Sequence, residues 1–436
     1  MTDHLRVAPF TGFRYSSEKV PDLSRVIAPP YDMISPQQQQ QLHERDPWNI
    51  VRLILGKDGG EDGSGDRYER AAAAYRQWKE KGILVRDAEP SIYAYRQDYE
   101  WENKSYQRLG FIVRAALTEF GEGAFPHEST LSGPKADRLR LLSACRANFS
   151  SIFSLFSDAD GSVQDRLEAE TASAPIQEVT DDLGVRHRLW RLSRPEFHTW
   201  IDNQMRDKSF IIADGHHRYE TALEYRRLMR ERPGEIPGDC DYVMMFLAPI
   251  ESTGLTILPF HRALSLPDTG RVFARLGEAF EIKEMPLSGP PAAGCERMLA
   301  TLEETPANRA SFIFYPGEES FYLLVMKKDF DSAPYLGPGT SREVGELDVT
   351  ALHQVTIQGL LGLDEQRLVQ EGGISFFSRP EDAFEQARTQ KDQAVFFMRP
   401  TRIEQVWKVA VSGQKMPQKS TNFYPKLTTG LVINEL

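Results

Sequence analysis

Cysteine is scarce in this sequence, with Cys145, Cys240 and Cys295 spread over 436 residues. An odd number of widely spaced cysteines forms neither a disulfide framework nor a paired metal motif. Reduced thiols are typical of the cytoplasm, so we expect a cytoplasmic protein. The first residues lack a charged-then-apolar signal pattern, and no apolar run reaches membrane-spanning length. We therefore expect no membrane partner.

An excess of positive charge is also missing. Lys and Arg number 52 against 63 Asp and Glu, which gives a net charge of -11. Nucleic-acid-binding surfaces are basic, so we expect no nucleic-acid partner. The hydrophobic fraction of 40% is that of an ordinary globular protein, and the length predicts two or three domains. The oligomeric state is left open by the sequence.

The densest chemistry lies in Ser209–Tyr225. Phe210 to Ala213 form a short apolar run of the kind that a buried strand shows. Asp214 and Gly215 break the run as turn residues do, and the residues from His217 onward have an apolar helix face. The sequence therefore predicts a strand, a tight turn and a helix.

This turn is suited to binding phosphate. A helix N-terminus offers backbone N–H groups and a positive dipole end, and Gly215 lets the backbone approach a ligand. Arg218 can hold a phosphate with two parallel hydrogen bonds, and His216 and His217 can add charge. Asp214 could hold Mg²⁺ or orient a hydroxyl. The alternative is a turn in which Asp214 only caps the helix and the histidines are exposed.

A second cluster of polar side chains lies between residues 125 and 138. His127 and Glu128 are followed by two hydroxyl residues, and Lys135 and Arg138 are spaced to share one face of a helix. A carboxylate beside cations suits a general base that faces phosphate groups. The alternative is a solvated loop that precedes a helix.

Two further segments present polar groups on constrained backbone. The two prolines of Ala28–Asp32 stiffen an extended loop that ends in Asp32. Near the C-terminus, Lys419 and Ser420 precede the aromatic pair Phe423 and Tyr424. We expect the aromatic pair to be buried and hypothesise that this docking carries Lys419 and Ser420 to the nucleotide site. The alternative is a tail that only packs against the protein.

The order of elements predicts a mixed α/β protein with a boundary between residues 1–265 and 266–436. We expect Ser91–Glu100 and Lys104–Thr118 to form a hairpin, and Asn49–Leu55 to be a strand. Asp241–Ile250 is predicted to pair with Gly254–Leu258. His261 and Arg262, which follow that pair, are expected to be a surface pair.

The segment Asp214–Arg218 resembles the Asp-Gly-His-His-Arg motif of free-serine kinases with the ParB/sulfiredoxin-like fold, in which this turn and helix bind nucleotide phosphates. Ala28–Asp32, His127-Glu128, Asp214–Arg218 and Met416–Lys426 together resemble one family over almost the entire chain, catalogued as domain of unknown function 1015. The resemblance implies a ParB/sulfiredoxin-like nucleotide-binding core. The alternation of helices and strands in residues 266–436 predicts a smaller second α/β domain, and we expect its C-terminal tail to dock back on the first.

The leading hypothesis is therefore a kinase that transfers phosphate from ATP or ADP, with Mg²⁺, to a small hydroxyl compound, with free serine as the leading acceptor. The predicted catalytic residues are Asp214, His217, Glu128 and Asp32. Asp214 would also bind Mg²⁺. The predicted nucleotide-binding residues are Gly215, His216, Arg218, His127, Lys135, Arg138, Lys419 and Ser420.

Two other functions are alternatives to the kinase. A nucleotide-binding switch would regulate a partner without turning over a small molecule. A metal hydrolase could use His127, His216 and His217. Adjacent residues on a helix point roughly 100° apart, so His216 and His217 are poorly placed to chelate one ion together.

Overall fold

The computed structural model describes residues 5–59, 66–128, 132–231, 238–266, 268–287, 291–364, 367–368, 372–390 and 392–436. These residues form two compact units. The first contains the described residues up to Pro126, those between Thr130 and Thr256, and Pro425–Leu436. The second contains the described residues of His127–Ser129 and of Ile257–Tyr424. The predicted domain boundary between residues 265 and 266 stays a prediction.

A large mixed sheet forms the centre of the first unit. Its strands follow the order β6-β11-β8-β12-β5-β4-β10-β9, and β1 pairs with β5. The strands of this unit are β1 Val7–Ala8, β2 Phe13–Tyr15, β3 Leu84–Arg86, β4 Ile92–Trp101, β5 Lys104–Ala116, β6 Ala124–Pro126, β7 Ala147–Asn148, β8 Ile152–Phe156, β9 Gln177–Thr180, β10 Arg186–Leu192, β11 Phe210–Asp214, β12 Tyr242–Pro249 and, near the C-terminus, β21 Asn434–Glu435.

Helices cover this sheet and extend the first unit. They are α1 Pro36–Arg45, α2 Val51–Ile54, α3 Arg67–Glu80, α4 Ser132–Cys145, α5 Ser162–Glu170, α6 Pro195–Met205 and α7 His216–Arg230, with 3₁₀ turns at Leu23–Arg25, Tyr31–Met33 and Asp239–Asp241. In α7 the buried residues include Tyr219, Ala222, Tyr225 and Met229. Their spacing of three and four places them on one face, which is why this segment is an amphipathic helix.

The predicted hairpin is confirmed, because β4 and β5 pair antiparallel from Tyr93–Ile112 to Trp101–Lys104. The predicted strand at Asn49–Leu55 is wrong, because Val51–Ile54 is a short helix. The side-chain oxygen of Asn49 accepts a hydrogen bond from the Val51 N–H at 3.0 Å, which favours a turn over an extended chain.

The predicted pairing of Asp241–Ile250 with Gly254–Leu258 is also wrong. The strand β12 pairs antiparallel with β5 and parallel with β8. From Val243 to Pro249 every residue of β12 is buried, as expected of a strand with neighbours on both sides.

The segment Pro425–Leu436 is woven into the first unit by short backbone pairings. Thr429 exchanges two backbone hydrogen bonds with Ala28, at 2.8 and 3.2 Å. Ile433 exchanges two with Phe13, each at 2.9 Å. This stretch is therefore part of the packed body of the unit and not a frayed end.

The second unit is built on an antiparallel sheet with the strand order β15-β17-β16-β19-β14-β18. Its strands are β14 His261–Ser265, β15 Phe280–Pro286, β16 Ser311–Tyr315, β17 Ser320–Met326, β18 Ile374–Phe377, β19 Gln393–Phe397 and β20 Asn422–Tyr424, and β13 Thr256–Leu258 leads into it. Its helices are α8 Thr269–Ala279, α9 Pro291–Glu303, α10 Arg342–Gly345, α11 Asp348–Thr350, α12 Pro380–Thr389 and α13 Ile403–Val411, with a 3₁₀ turn at Ala333–Tyr335 and a π-helix at Ala351–Leu360.

Both units combine helices with sheets, so the predicted mixed α/β class is confirmed. The finer ParB/sulfiredoxin-like assignment stays a prediction. In the part of the chain that the structure describes, no helix is both long enough and apolar enough to cross a membrane.

Candidate functional site

The predicted strand, turn and helix are confirmed at residues 210–230. The strand β11 ends at Asp214, Gly215 is the N-cap, and α7 begins at His216. The pairing of β11 with β8 shifts register between Ile212 and Asp214, so a bulge lies directly before the motif. A bulge re-aims the side chains that follow it, and here it ends the strand at Asp214.

Gly215 adopts a left-handed conformation, with φ of 97°. A Cβ atom at this position would lie 2.9 Å from the guanidinium of Arg218. Glycine is therefore needed for two reasons, the backbone angle and the close approach of Arg218. The group that approaches this glycine is a side chain of the motif itself, whereas the sequence analysis expected a ligand.

Three protein groups hold the Arg218 guanidinium. One terminal nitrogen donates to Oδ2 of Asp214 at 2.7 Å. The other donates to the Ser150 hydroxyl at 3.2 Å and to the Ser151 carbonyl at 2.5 Å. A guanidinium has five N–H donors, so these contacts leave only part of its capacity for a ligand.

Asp214 forms a second ion pair that the predicted site did not include. Its Oδ1 accepts a hydrogen bond from Nζ of Lys426 at 2.7 Å. Burial alone would raise the pKa of the Asp214 carboxyl, but the cations of Lys426 and Arg218 hold that pKa well below its usual range. Asp214 is therefore ionised, and it is not a cap of α7, whose N-terminus has no side-chain cap among the described residues.

The predicted Mg²⁺ at Asp214 does not fit this arrangement. Each carboxylate oxygen is already 2.7 Å from a cationic nitrogen. A hard divalent cation would have to displace Lys426 or Arg218. Across the described ranges, no three His, Cys, Asp or Glu side chains form a group that could hold a metal ion. We therefore derive no chemical step through a metal.

His217 lies in the first turn of α7 among charged side chains. Burial lowers its pKa below the ordinary value of 6.5, Glu220 and Asp32 raise it, and Lys135 and Arg218 lower it again. The lowering prevails, so the imidazole is neutral near pH 7. A neutral imidazole can accept a proton but adds no positive charge for a phosphate.

Lys135 and Arg138 lie on α4 in the same unit as His217. The ammonium of Lys135 pairs with Glu220 at 2.7 Å, and the Lys135 side chain is 38% exposed. Arg138 is buried, its guanidinium carbon lies 3.9 Å from the centre of the Tyr31 ring, and it donates to the Ile54 carbonyl at 2.8 Å. Lys135 therefore remains accessible to a ligand, whereas Arg138 mainly fixes Tyr31 and the chain near Ile54.

A cavity of about 60 Å³ lies beside these groups. Its walls are mainly apolar and include Leu141, Phe149 and Val243. Its polar lining includes Arg138 and Arg218. Pockets that enclose a whole small-molecule ligand are roughly 300–1,000 Å³, so this cavity has room for only a few atoms of one.

Asp32 lies in the 3₁₀ turn Tyr31–Met33 of the first unit, and His216 is the first residue of α7. The other predicted residues belong to the second unit, where His127, Glu128 and Ser420 come together. Oε1 of Glu128 accepts hydrogen bonds from the Ser420 N–H at 3.1 Å and from the N–H and hydroxyl of Thr421, each at 3.2 Å. Nε2 of His127 is 2.7 Å from the same hydroxyl. Because that hydroxyl donates to Glu128, His127 must donate to it and so carries a proton on Nε2.

Lys419 is also tied into the second unit. It has a left-handed backbone, with φ of 56°, and its carbonyl accepts a hydrogen bond from Arg262 at 2.7 Å. Its ammonium lies 5.3 Å from the centre of the Phe260 ring. The hydroxyl of Ser420 donates to the Pro417 carbonyl at 2.5 Å. The polar atoms of Glu128 and Ser420 thus stabilise this turn, and a role for these residues in catalysis or nucleotide binding stays a prediction.

The aromatic pair of this tail differs in burial. Phe423 is completely buried and packs edge-on against His127, with ring centres 5.9 Å apart. Tyr424 is only half-buried. The expectation of burial is therefore confirmed for Phe423 and wrong for Tyr424.

Comparison with protein-family models matches residues 7–350 to the family described as protein of unknown function, DUF1015. No curated protein matches the chain.

The solved structures that match this chain have low sequence identity and low TM-scores. A mutant free serine kinase in complex with AMP is 14% identical, with a TM-score of 0.36, over 74% of this chain and 92% of that chain. A conserved hypothetical protein from Pyrococcus furiosus is 14% identical, with a TM-score of 0.35, over 74% and 95%. C-terminally truncated SbnI from Staphylococcus aureus is 9% identical, with a TM-score of 0.35, over 74% and 87%. Likeness at this level supports no conclusion about what this chain binds.

Proposed function

We propose that this chain, which belongs to the DUF1015 family of proteins of unknown function, is a nucleotide-dependent phosphotransferase that acts on a small hydroxyl compound. The observation that carries the proposal is the strand, turn and helix at residues 210–230, in which α7 begins with His216, His217 and Arg218. A base and cationic groups at one helix N-terminus are what phosphoryl transfer requires, because that reaction depends on positioning and on neutralising charge.

The first turn of α7 would bind the phosphates of ATP or ADP. A helix N-terminus presents backbone N–H groups, and the helix dipole favours negative charge there. Lys135 adds a cation on a partly exposed side chain. Arg218 adds the N–H donors that Asp214, Ser150 and Ser151 do not use.

His217 would be the base. The acceptor oxygen would attack the terminal phosphorus, its proton would pass to the imidazole, and the bond from phosphorus to the bridging oxygen of the nucleotide would break. Asp32, which raises the pKa of His217, would stabilise the imidazolium that forms. Free serine is the leading acceptor because of the resemblance of the motif to that of free-serine kinases.

The test combines calorimetric titration of ATP, ADP and AMP with transfer of labelled phosphate to serine, threonine and homoserine. His217→Gln should lower the transfer rate by about a hundredfold or more, with little change in nucleotide affinity. The matched control is His198→Gln, because His198 is another half-buried helical histidine of this unit, bonded to the Leu192 carbonyl. It should leave both quantities unchanged.

Nucleotide binding without transfer to any hydroxyl would overturn the phosphotransferase and favour the regulatory switch. An unchanged rate in His217→Gln would remove His217 as the base. A wild-type protein that binds no nucleotide would end the proposal.

A further inference from the structure

The C-terminal segment of the first unit brings a lysine to the phosphate-binding motif. Arg108, which is completely buried, donates to the carbonyl of Pro425. Gln97, also completely buried, donates to the carbonyl of Lys426 at 2.9 Å. Both side chains come from the β4–β5 hairpin, so the backbone at Pro425 and Lys426 is fixed from the core of the unit. The Lys426 ammonium then reaches Asp214.

Positive charge exceeds negative charge around Asp214. Lys426 and Arg218 are both paired with it, and the side chains of the three residues are only 13–19% exposed. Two cations thus share one carboxylate. Partly buried charge without compensation is costly, so this arrangement favours a bound anion.

The Lys426 ammonium retains hydrogen-bonding capacity. An ammonium has three N–H donors, and Asp214 accepts one of them. Among the described residues, Asp214 is the one hydrogen-bond acceptor of this ammonium. Its position is set by Asp214 and by the clamped backbone, so binding an anion would cost little side-chain entropy.

We infer that Lys426 binds a phosphate group of the nucleotide and that Asp214 is the positioning residue that holds Lys426 and Arg218 in place for it. This inference rests on the proposed function, whose site it extends by one residue. Asp214 is then needed for its fixed negative charge, which aligns two cations at the start of α7. The ligand class is a polyphosphate chain, since the lysine recognises charge and no base.

The experiment titrates inorganic pyrophosphate and ADP into the full chain by calorimetry. Lys426→Met keeps the aliphatic stem and removes the charge, and it should weaken both affinities by about tenfold to a hundredfold, as the loss of a charged hydrogen bond predicts. Lys426→Arg should restore most of the affinity. The dependence of affinity on salt should also decrease in Lys426→Met.

Lys79→Met is the matched control. Lys79 pairs with Glu435 in the same C-terminal segment but takes no part in the Asp214 cluster. This variant should lower thermal stability without changing either affinity. If Lys79→Met and Lys426→Met weaken binding equally, Lys426 acts only through packing, and the inference is wrong.

The other outcomes separate this inference from the proposed function. Wild-type affinity in Lys426→Met would overturn the inference and leave the phosphotransferase standing. Binding that is sensitive to Lys426 in a protein that transfers no phosphate would support the inference and overturn the phosphotransferase. A wild-type protein that binds neither pyrophosphate nor ADP would overturn both.

Discussion

Replacing Gly215 with alanine tests whether the turn is shaped by the Arg218 guanidinium. An alanine with φ of 97° is strained, which costs about 1–2 kcal/mol. Its Cβ would also meet the guanidinium at 2.9 Å. The guanidinium is the flexible end of its side chain, so it would move and lose its charged hydrogen bond to Asp214, worth about 1.5–3 kcal/mol. The total loss of unfolding free energy should be about 2.5–5 kcal/mol.

Gly161 provides a matched control within the same unit. It is also a left-handed N-cap, with φ of 71°, and a Cβ there would meet nothing within 4 Å. Gly161→Ala should therefore cost only the backbone strain of about 1–2 kcal/mol. The assay is urea unfolding followed by tryptophan fluorescence and circular dichroism, with pyrophosphate affinity measured on the same preparations.

A double-mutant cycle isolates the free-energy cost of the contact between the added Cβ and the Arg218 guanidinium. In an Arg218→Ala background the clash disappears, so adding Gly215→Ala should cost no more than Gly161→Ala does. In the wild-type background Gly215→Ala should cost more and should also weaken pyrophosphate binding. Equal costs for Gly215→Ala and Gly161→Ala in the wild-type background would refute this reasoning.

Two further predictions concern polar groups outside the motif. Glu128→Ala should destabilise the second unit by about 1–3 kcal/mol, measured by urea unfolding, because the N–H groups of Ser420 and Thr421 lose their acceptor; unchanged stability would contradict this role. Burial and the Arg52 cation lower the pKa of His43 from 6.5 to about 4, so the unfolded chain binds a proton at His43 before the folded chain does as the pH falls. The contribution of neutral His43 to the free energy of unfolding is therefore complete above pH 6.5 and decreases towards pH 4. His43→Gln should reduce this decrease by on the order of 1 kcal/mol, measured by unfolding at several pH values, and an unchanged pH profile would contradict the prediction.

The local sequence pattern predicts the structure correctly where the residues that contact each other are also close in sequence. The turn at Asp214 and Gly215 and the β4–β5 hairpin were predicted because apolar periodicity and turn residues lie within each segment. Asn49–Leu55 failed because a short apolar run fits a strand and a buried helix equally well. The side-chain bond from Asn49 to the Val51 N–H, which decides between them, is not visible in periodicity.

Long-range partners explain the other failures. His261 and Arg262 were expected at the surface but are both 1% exposed. His261 accepts a hydrogen bond from the Met398 N–H at 3.2 Å, and Arg262 donates to His353 at 3.0 Å, so partners distant in sequence satisfy their polar groups. Lys426 ends the Met416–Lys426 motif but is not in the predicted site, because nothing local connects it to Asp214 across 212 residues.

The pairing of Pro425–Leu436 with the rest of the first unit determines when this unit can be completed during translation. A ribosome synthesises residues 257–424 before it reaches Pro425. The first unit therefore lacks Pro425–Leu436 until residues 257–424 have been translated. Until then the buried donors of Gln97 and Arg108 lack the carbonyls that they bind in the finished fold. A nascent chain halted before Lys426 would hold Asp214 with Arg218 alone. The cluster at Asp214 is therefore assembled late in synthesis, after both units have emerged.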